Sequence, residues 1–333
     1  MAQYTSQEQI RLAAQRLADS KQAAGGIRDI FCVACGGSLG SLYPLAYLLR
    51  CESSSLHAAC ITAGEFAAAP PRRLGTNSVV LIASASGSTQ EACDAAQTAR
   101  RHGAYVITIS GAPQCPLAQD SDLHWVCSTH SDRPEEIGQF DFILALRFGF
   151  ELLRLYDGYA HYDQALHGFE VLPDIYCRAR RLLAPRVAAF GSSHAADKVI
   201  YTVSAGPSFA AGYMESICHF MEMEWIHSFA IHAGELFHGP FEITDRSTPF
   251  IVISSNGPTR ALDERALAFL QKYSGRVTWI DSNEFGVSQT GPDVEAYFSG
   301  PINWLAASFL DHGLEAAKDH PFMHRRYMGR TAY

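Results

Sequence analysis

The stretch VACGGSLGSLY, Val33–Tyr43, has a twin 170 residues further on, VSAGPSFAAGY, Val203–Tyr213. At the same offset AGEFAAAP (Ala63–Pro70) lies over AGELFHGP (Ala233–Pro240), and SASGST (Ser84–Thr89) over SSNGPT (Ser254–Thr259). Positions 33–89 give 14 identities in 57 without a gap, where residue frequencies alone give about three or four. The shared residues are uncommon ones: Gly36/Gly206, Glu52/Glu222, His57/His227, Gly64/Gly234, Glu65/Glu235, Pro70/Pro240 and Gly87/Gly257. A repeat of this length marks a duplicated structural unit.

Outward from these segments, both halves carry the same order of elements. In the first, DIFCVA, AACIT, VVLIAS, YVITI and LHWVCS read as strands, SLGSLYPLAYLLRCE and FDFILALRFGFELLRLY as helices, with another helix near 88–102 and a turn at AGEF. In the second, KVIYTV, FAIH, PFIVIS, RVTWI and VEAYFS read as strands, and SFAAGYMESICHFMEMEW, TRALDERALAFLQKY and NWLAASFLDHGLEAA as helices. Continuous apolar strands alternating with helices predict an α/β chain, each half a parallel sheet covered on both faces. The division read from this pattern is an N-terminal helix (1–27), a first domain (28–170), a second domain (171–320) and a tail (321–333). Thr5 and Glu8 are expected to form a capping box on the first helix, with Ile10, Ala13, Ala14 and Leu17 on one face.

The chain has 333 residues, which suits two domains, and a net charge of −8. That charge argues against a nucleic-acid partner. No apolar run reaches the roughly 18 residues of a membrane span, and MAQYTSQEQIRLAAQRL does not read as a secretory signal. A reduced cytoplasmic protein is expected, since nine scattered cysteines give no disulfide framework. Cys32 and Cys35 form a C-x-x-C pair, but within a strand, so packing is the expected role.

Two loops invite an anion. CGGS (Cys35–Ser38) and SASGST each follow a strand and open a helix. Gly36 and Gly37 let a ligand approach the backbone, and the hydroxyls of Ser38, Ser84, Ser86 and Thr89 with the helix-start amides can surround a phosphate. The plainer alternative is a pair of helix N-caps. A dinucleotide fingerprint would need glycine where Cys35 stands. In the second half Pro258 removes a donor and Asn256 replaces the serine, so the phosphate is assigned to the first half.

The duplication also sorts the acid–base residues. Glu65 and Glu235 are common to both copies and read as architectural, a carboxylate capping backbone amides. His57 and His227 are twins too and read as structural. His238 has Ala68 as its counterpart, and it follows Glu222 by sixteen residues, a spacing that Glu52 does not share. A carboxylate and an imidazole beside a phosphate site suit proton transfer on a sugar phosphate. His227, His232 and Glu235 match no zinc spacing, so no metal site is expected.

These motifs resemble the sugar isomerase (SIS) family in its tandem-domain form, as in the isomerase half of glucosamine-6-phosphate synthase. EMEWIH followed by AGELFHGP is similar to that family's catalytic segment, and CGGS and SASGST to its phosphate loops, over about residues 28–320. GYAHYD, FMEMEWIHS, FHGPFEITD, DERAL and RRYM further resemble the fructosamine-6-phosphate deglycases. The resemblance implies two tandem α-β-α sandwich domains and a deglycase acting on a fructosyl-amino acid 6-phosphate. It implies phosphate contacts from Ser38, Ser84, Ser86 and Thr89. It implies Glu222 as the base moving a proton between C1 and C2. It implies His238 as the ring-opening acid–base, reaching across a homodimer interface, with no cofactor and no metal.

The departures bear on the choice within the family. No glutaminase domain is expected ahead of the pair, since position 2 is Ala2 rather than a nucleophilic cysteine. The synthase's lysine three residues before the glutamate is His219 here, and its C-terminal lysine is replaced by a tail with Arg325, Arg326 and Tyr327. These four are candidate substrate contacts, the tail folding over the site so that an arginine meets the substrate's carboxylate; a solvated basic tail is the alternative. An aminosugar-phosphate isomerase or deaminase and a non-catalytic phosphosugar sensor are the other readings.

Overall fold

The computed structural model describes residues 4–23, 25–129, 131 and 133–331; Ala2 and the ends of the predicted N-terminal and tail segments lie outside them. The chain divides into two compact units, one up to Pro173 and the other from Asp174.

The first unit runs α1 (Gln7–Gln22), β1 (Asp29–Ala34), α2 (Gly36–Glu52), β2 (His57–Thr62), α3 (Ala63–Ala68), β3 (Ser78–Ala83), α4 (Gln90–Arg101), β4 (Tyr105–Ser110), α5 (Pro116–Gln119), β5 (Leu123–Val126) and α6 (Asp141–Asp157). Its strands form one parallel sheet in the order β2-β1-β3-β4-β5. Every residue of β1 and β3 is buried, as central strands covered on both faces require. On one face Phe31, Val33, Val80 and Ile82 pack with Ala92, Ala95, Ala96 and Ala99 of α4, whose small side chains let the helix lie close to the sheet. α2 and α6 pack together, α1 against α6, as a separate helical layer.

α7 (Tyr162–His194) leads into the second unit: β6 (Val199–Ser204), α8 (Phe209–Met214), a π-helix (Glu215–Met223), β7 (His227–His232), β8 (Pro249–Ser254), α9 (Arg260–Tyr273), β9 (Arg276–Asp281) and α10 (Glu295–Lys318). The strands are again parallel, in the order β7-β6-β8-β9. Val203, Phe250 and Val252 pack with Ala266, Leu267 and Leu270 of α9. The duplicated α/β architecture read from the sequence is therefore present, one parallel sheet per half, each with helical layers.

Three local expectations are corrected. VEAYFS is not a strand: α10 begins at Glu295, and Tyr297, Phe298, Ile302, Leu305 and Ala306 bury one helical face. A short apolar run is ambiguous between the two periods, and here the longer pattern wins. AGEF is a turn of helix, α3, rather than an open turn. The cap of α1 is Ser6 with Gln9, not Thr5 with Glu8. Thr5 is already committed, since its N–H donates to the Val126 carbonyl at 2.8 Å and its Oγ1 accepts from the Val126 N–H at 2.9 Å. All nine cysteines are free. Cys32 lies opposite Cys60 on the neighbouring strand, and its hydrogen bond to Cys60, together with burial, holds the thiol well above its usual range.

Candidate active site

In the first unit the strand order reverses between β1 and β3, which are direct neighbours. Ligands of open α/β sheets bind at such a switch point, beyond the carboxyl ends of the strands. The loops found there are Cys35–Ser38 and Ser84–Thr89, so topology brings together the two segments predicted to hold phosphate. Gly36, with φ of 57°, opens α2, and Gly36, Gly37 and Ser38 are half-buried. Gly87 has φ of 67°, and a β-carbon there would stand 2.4 Å from Cys115 Sγ, so only glycine fits. Ser84 is buried and shares a 2.9 Å hydrogen bond with Thr89 Oγ1, while Ser84 Oγ also accepts from the Gly87 N–H at 3.2 Å. Ser86 is exposed and accepts from Ser88 Oγ at 2.9 Å.

The N-cap alternative does not hold. Thr89 occupies the N-cap position of α4, yet its side chain makes no capping bond, and Cys35 makes none on α2. Both helix starts keep amides that no capping side chain engages, and those amides favour an anion.

The corresponding loops of the second unit are consumed internally. Ser254 and Ser255 are fully buried and Asn256 nearly so. Asn256 donates from Nδ2 to Glu295 Oε2 at 2.8 Å, and its Oδ1 accepts from Ser282 Oγ at 2.8 Å. Asn303 of α10 donates to the Ser254 carbonyl and to Ser208 Oγ, the twin of Ser38, at 2.8 and 2.9 Å. The second copy has thus filled its own crevice with α10.

What the second unit offers instead is Glu222. It lies near the end of the π-helix, half-buried, where the Glu224 N–H donates to the His219 carbonyl at 2.9 Å, an i→i+5 bond. Segments of this kind are rare and recur at functional sites. The turn after it places Trp225 at φ of 56°, an outlier for a bulky residue. The tail grips that turn. The Arg326 guanidinium stands 4.0 Å from the Trp225 ring centre, and His320 and His324 meet the same ring edge-on. Lys318 pairs with buried Glu224 at 3.1 Å. Arg325 donates from Nε to Glu222 Oε1 at 2.9 Å, with Nη2 2.8 Å from the same oxygen. Tyr327 is exposed.

His219 is not an open substrate contact; it is 5 % exposed and enclosed. Its ring stacks on Trp304 at 4.6 Å and on Phe322 of the tail at 5.9 Å. Its Nδ1 lies 3.0 Å from Glu215 Oε2 and also contacts Asp311. The three ligand atoms fall within 4.8 Å of one another, a spacing that also suits a metal ion. The aromatic faces and the direct carboxylate contacts make the imidazolium itself the cation here. The sequence reading missed all three partners: the i, i+4 spacing of Glu215 to His219 was a signal that could have found the first, whereas Asp311 and Phe322, from distant segments, carried no local signal.

His238 is exposed, in the turn before Gly239, and among the described residues its ring makes no hydrogen bond or ion pair. Glu65 and Glu235 are exposed too. Neither carboxylate caps an amide among the described residues, so what the two copies share there is the turn.

Residues 27–139 match the SIS domain model. The chain is 36 % identical over 308 residues to fructosamine deglycase FrlB of Bacillus subtilis, covering 92 % of this chain and 93 % of that protein. It is 26 % identical over 303 residues to fructoselysine 6-phosphate deglycase of Escherichia coli, covering 91 % and 86 %. A crystal structure from Salmonella typhimurium, described as a phosphosugar isomerase, superposes with a TM-score of 0.90 at 37 % identity, covering 97 % of this chain and 99 % of that one.

Proposed function

This chain belongs to the SIS-domain family that includes the fructosamine deglycases, and from that premise we propose that it cleaves a fructosyl-amino acid 6-phosphate to glucose 6-phosphate and a free amino acid. The observation that carries this reading is Glu222: a half-buried carboxylate at the end of a π-helix, in the one copy of the repeat that also has an imidazole, His238, sixteen residues on.

In the proposed reaction the hydroxyls of Ser38, Ser84, Ser86 and Thr89, with the amides at Gly36 and Gly37, hold the 6-phosphate. Their disposition at the β1/β3 switch point and the absence of capping bonds support this. His238 moves the proton that opens the fructosyl ring. Glu222 then takes a proton from C1 while the C2 oxygen gains one, and the enaminol forms; the same carboxylate returns its proton to C2, and the nitrogen gives up its N–H proton, which balances the one gained by the C2 oxygen. The product is an imine between C1 and the amine nitrogen. Water adds to that imine, the C–N bond breaks, and the amino acid leaves with the open-chain sugar phosphate. None of these steps calls for a cofactor or a metal. The exposure of His238 within its own chain supports its use by a partner in a homodimer. The reading also places the enzyme in the cytoplasm, where sugar phosphates are made; among the described residues no helix is long and apolar enough to cross a membrane.

Incubation with a panel of fructosyl-amino acid 6-phosphates, followed by enzymatic assay of glucose 6-phosphate, tests the reading. Release of glucose 6-phosphate and free amino acid in equal amounts is expected. No turnover of the panel, with release of ammonia from glucosamine 6-phosphate, would place the protein among the deaminases or isomerases instead.

A further inference from the structure

We propose that the first unit carries a second anion site, separate from the substrate crevice, which takes a phosphomonoester on three arginines at the amino-terminal edge of its sheet. A cavity of about 500 Å³ opens there, between the end of α2 and the start of β2. Its wall includes Arg28, Arg50, Arg73, His57 and the loop Ser53–Ser55, and no lining residue is acidic. In a chain of net charge −8 this concentration of cations has the opposite sign to its surroundings. The volume is that of a site for a small metabolite.

The wall holds these groups in place and leaves donors over. Asp29, buried at the start of β1, accepts from Arg73 Nε at 2.5 Å and lies 3.4 Å from His57 Nδ1. Both terminal nitrogens of Arg73 are left without a hydrogen bond among the described residues. Arg50 lies over the Tyr47 ring, 4.8 Å from its centre. Arg28 is exposed, and its guanidinium has no acceptor among the described residues. Asp157 is taken up by the serine loop: it accepts from Ser53 Oγ at 2.5 Å and from the Ser54 and Ser55 amides, each at 3.1 Å. The last-turn carbonyls of α2 disfavour an anion, and Arg50 in that same turn offsets them. A guanidinium fork matches two oxygens of a phosphate group at once, and a phosphate dianion presents enough acceptors for forks from several sides.

The duplication separates this cavity both from the substrate crevice and from its own twin. α2 opens at Gly36 in the phosphate loop and closes at Glu52, so the loop and the cavity stand at opposite ends of one helix, about 25 Å apart. At the matching positions of the second copy Phe220 replaces Arg50 and Ile243 replaces Arg73, and only Arg28 keeps a cationic counterpart, Lys198. The serine loop has become Met223, Glu224 and Trp225 there, and Lys318 and the tail's Arg326 cover it. The second copy thus closes this edge with its own cations, on a carboxylate and a ring. The first copy keeps it as an open cavity whose cations come from the wall.

Titration calorimetry on the full-length protein tests this with three probes: glucose 6-phosphate, inorganic phosphate and succinate. Ser84→Ala with Thr89→Val serves as the background, since it weakens the crevice already assigned to phosphate. In that background glucose 6-phosphate is still expected to bind at one site per chain. Adding Arg28→Gln with Arg50→Gln should weaken it about tenfold or more, and Arg28→Lys with Arg50→Lys should fall between. In the otherwise native chain the two glutamines should leave melting temperature and kcat/KM unchanged. Inorganic phosphate binding as tightly as glucose 6-phosphate would assign the site to the phosphate group alone, and weaker binding to the whole sugar phosphate; either supports the proposal. Four results overturn it: no binding in the background, binding indifferent to the arginines, a matching fall in kcat/KM, or equal binding of succinate, which would mark a general cationic surface. The deglycase reading stands or falls separately, on the turnover assay.

Discussion

His219 Nδ1 lies 3.0 Å from Glu215 Oε2, one turn apart on the π-helix and both sealed from solvent. Burial, with Asp311 beside it, raises the Glu215 carboxyl from 4.5 to about 8. Burial opposes charge on His219, but Asp311 and Glu215 override it and raise the imidazole from 6.5 to about 10. Both groups bind protons more tightly in the folded chain than in the unfolded one. Their contribution to stability is therefore full at low pH, begins to fall above about 4.5 for Glu215 and 6.5 for His219, and is lost through 8 and 10. The melting temperature of the wild type is expected to fall between pH 6.5 and 10. His219→Gln should cost about 3 kcal/mol near pH 6.5, since it leaves buried Asp311 without its cation, and should remove the imidazole's share of that decline. Calorimetry across the range decides it: an unchanged slope in the variant refutes the assignment.

Glu222→Gln and His238→Ala are each expected to lower turnover at least about a hundredfold, the usual cost of a lost acid–base group. The glutamine keeps an acceptor for Arg325, so its melting temperature should stay near that of the wild type. Near-normal release of glucose 6-phosphate by either variant would remove that residue from the mechanism.

Ser84→Ala combined with Thr89→Val deletes a hydroxyl pair that lies 2.9 Å apart at the switch point. KM for phosphorylated substrate is expected to rise roughly tenfold or more, with a smaller change in kcat, since a hydrogen bond to a charged group contributes about 1.5–3 kcal/mol. Inhibition by inorganic phosphate should weaken in parallel. A variant that keeps both its KM and its phosphate inhibition would move the anion elsewhere.

Gly87→Ala and Gly36→Ala form a matched pair. Both glycines have positive φ, 67° and 57°. A β-carbon at Gly87 would meet Cys115 Sγ at 2.4 Å, whereas at Gly36 nothing lies within 4 Å. Backbone strain alone should cost Gly36→Ala about 1 kcal/mol, and overpacking should bring Gly87→Ala to about 2–4 kcal/mol. Urea denaturation of the two variants measures the difference; equal losses would show that Cys115 gives way.

The strands DIFCVA and PFIVIS were legible because a fully buried parallel strand needs only an unbroken apolar run, a property of neighbours in sequence. The duplication then set the Glu222 and His238 pair apart from Glu52 and Ala68 at the same positions of the first copy, where no imidazole follows the glutamate. VEAYFS was misread because its few apolar residues suit either period until Ile302 and Leu305 extend the helical face. The cap moved from Thr5 to Ser6 because a strand more than a hundred residues away claimed the threonine.

The amino-acid order by itself determined two α/β units, their switch-point loops and the residue types able to hold an anion, because period, glycine placement and repetition are written locally. Tertiary structure alone decided which of those groups stay available. Asn303 and Glu295 of α10 occupy the second set of loops while the first keeps its helix starts uncapped, and Arg325 arrives at Glu222 from 103 residues away. Such contacts depend on where a distant helix or tail packs, and no spacing within either copy of the repeat encodes them.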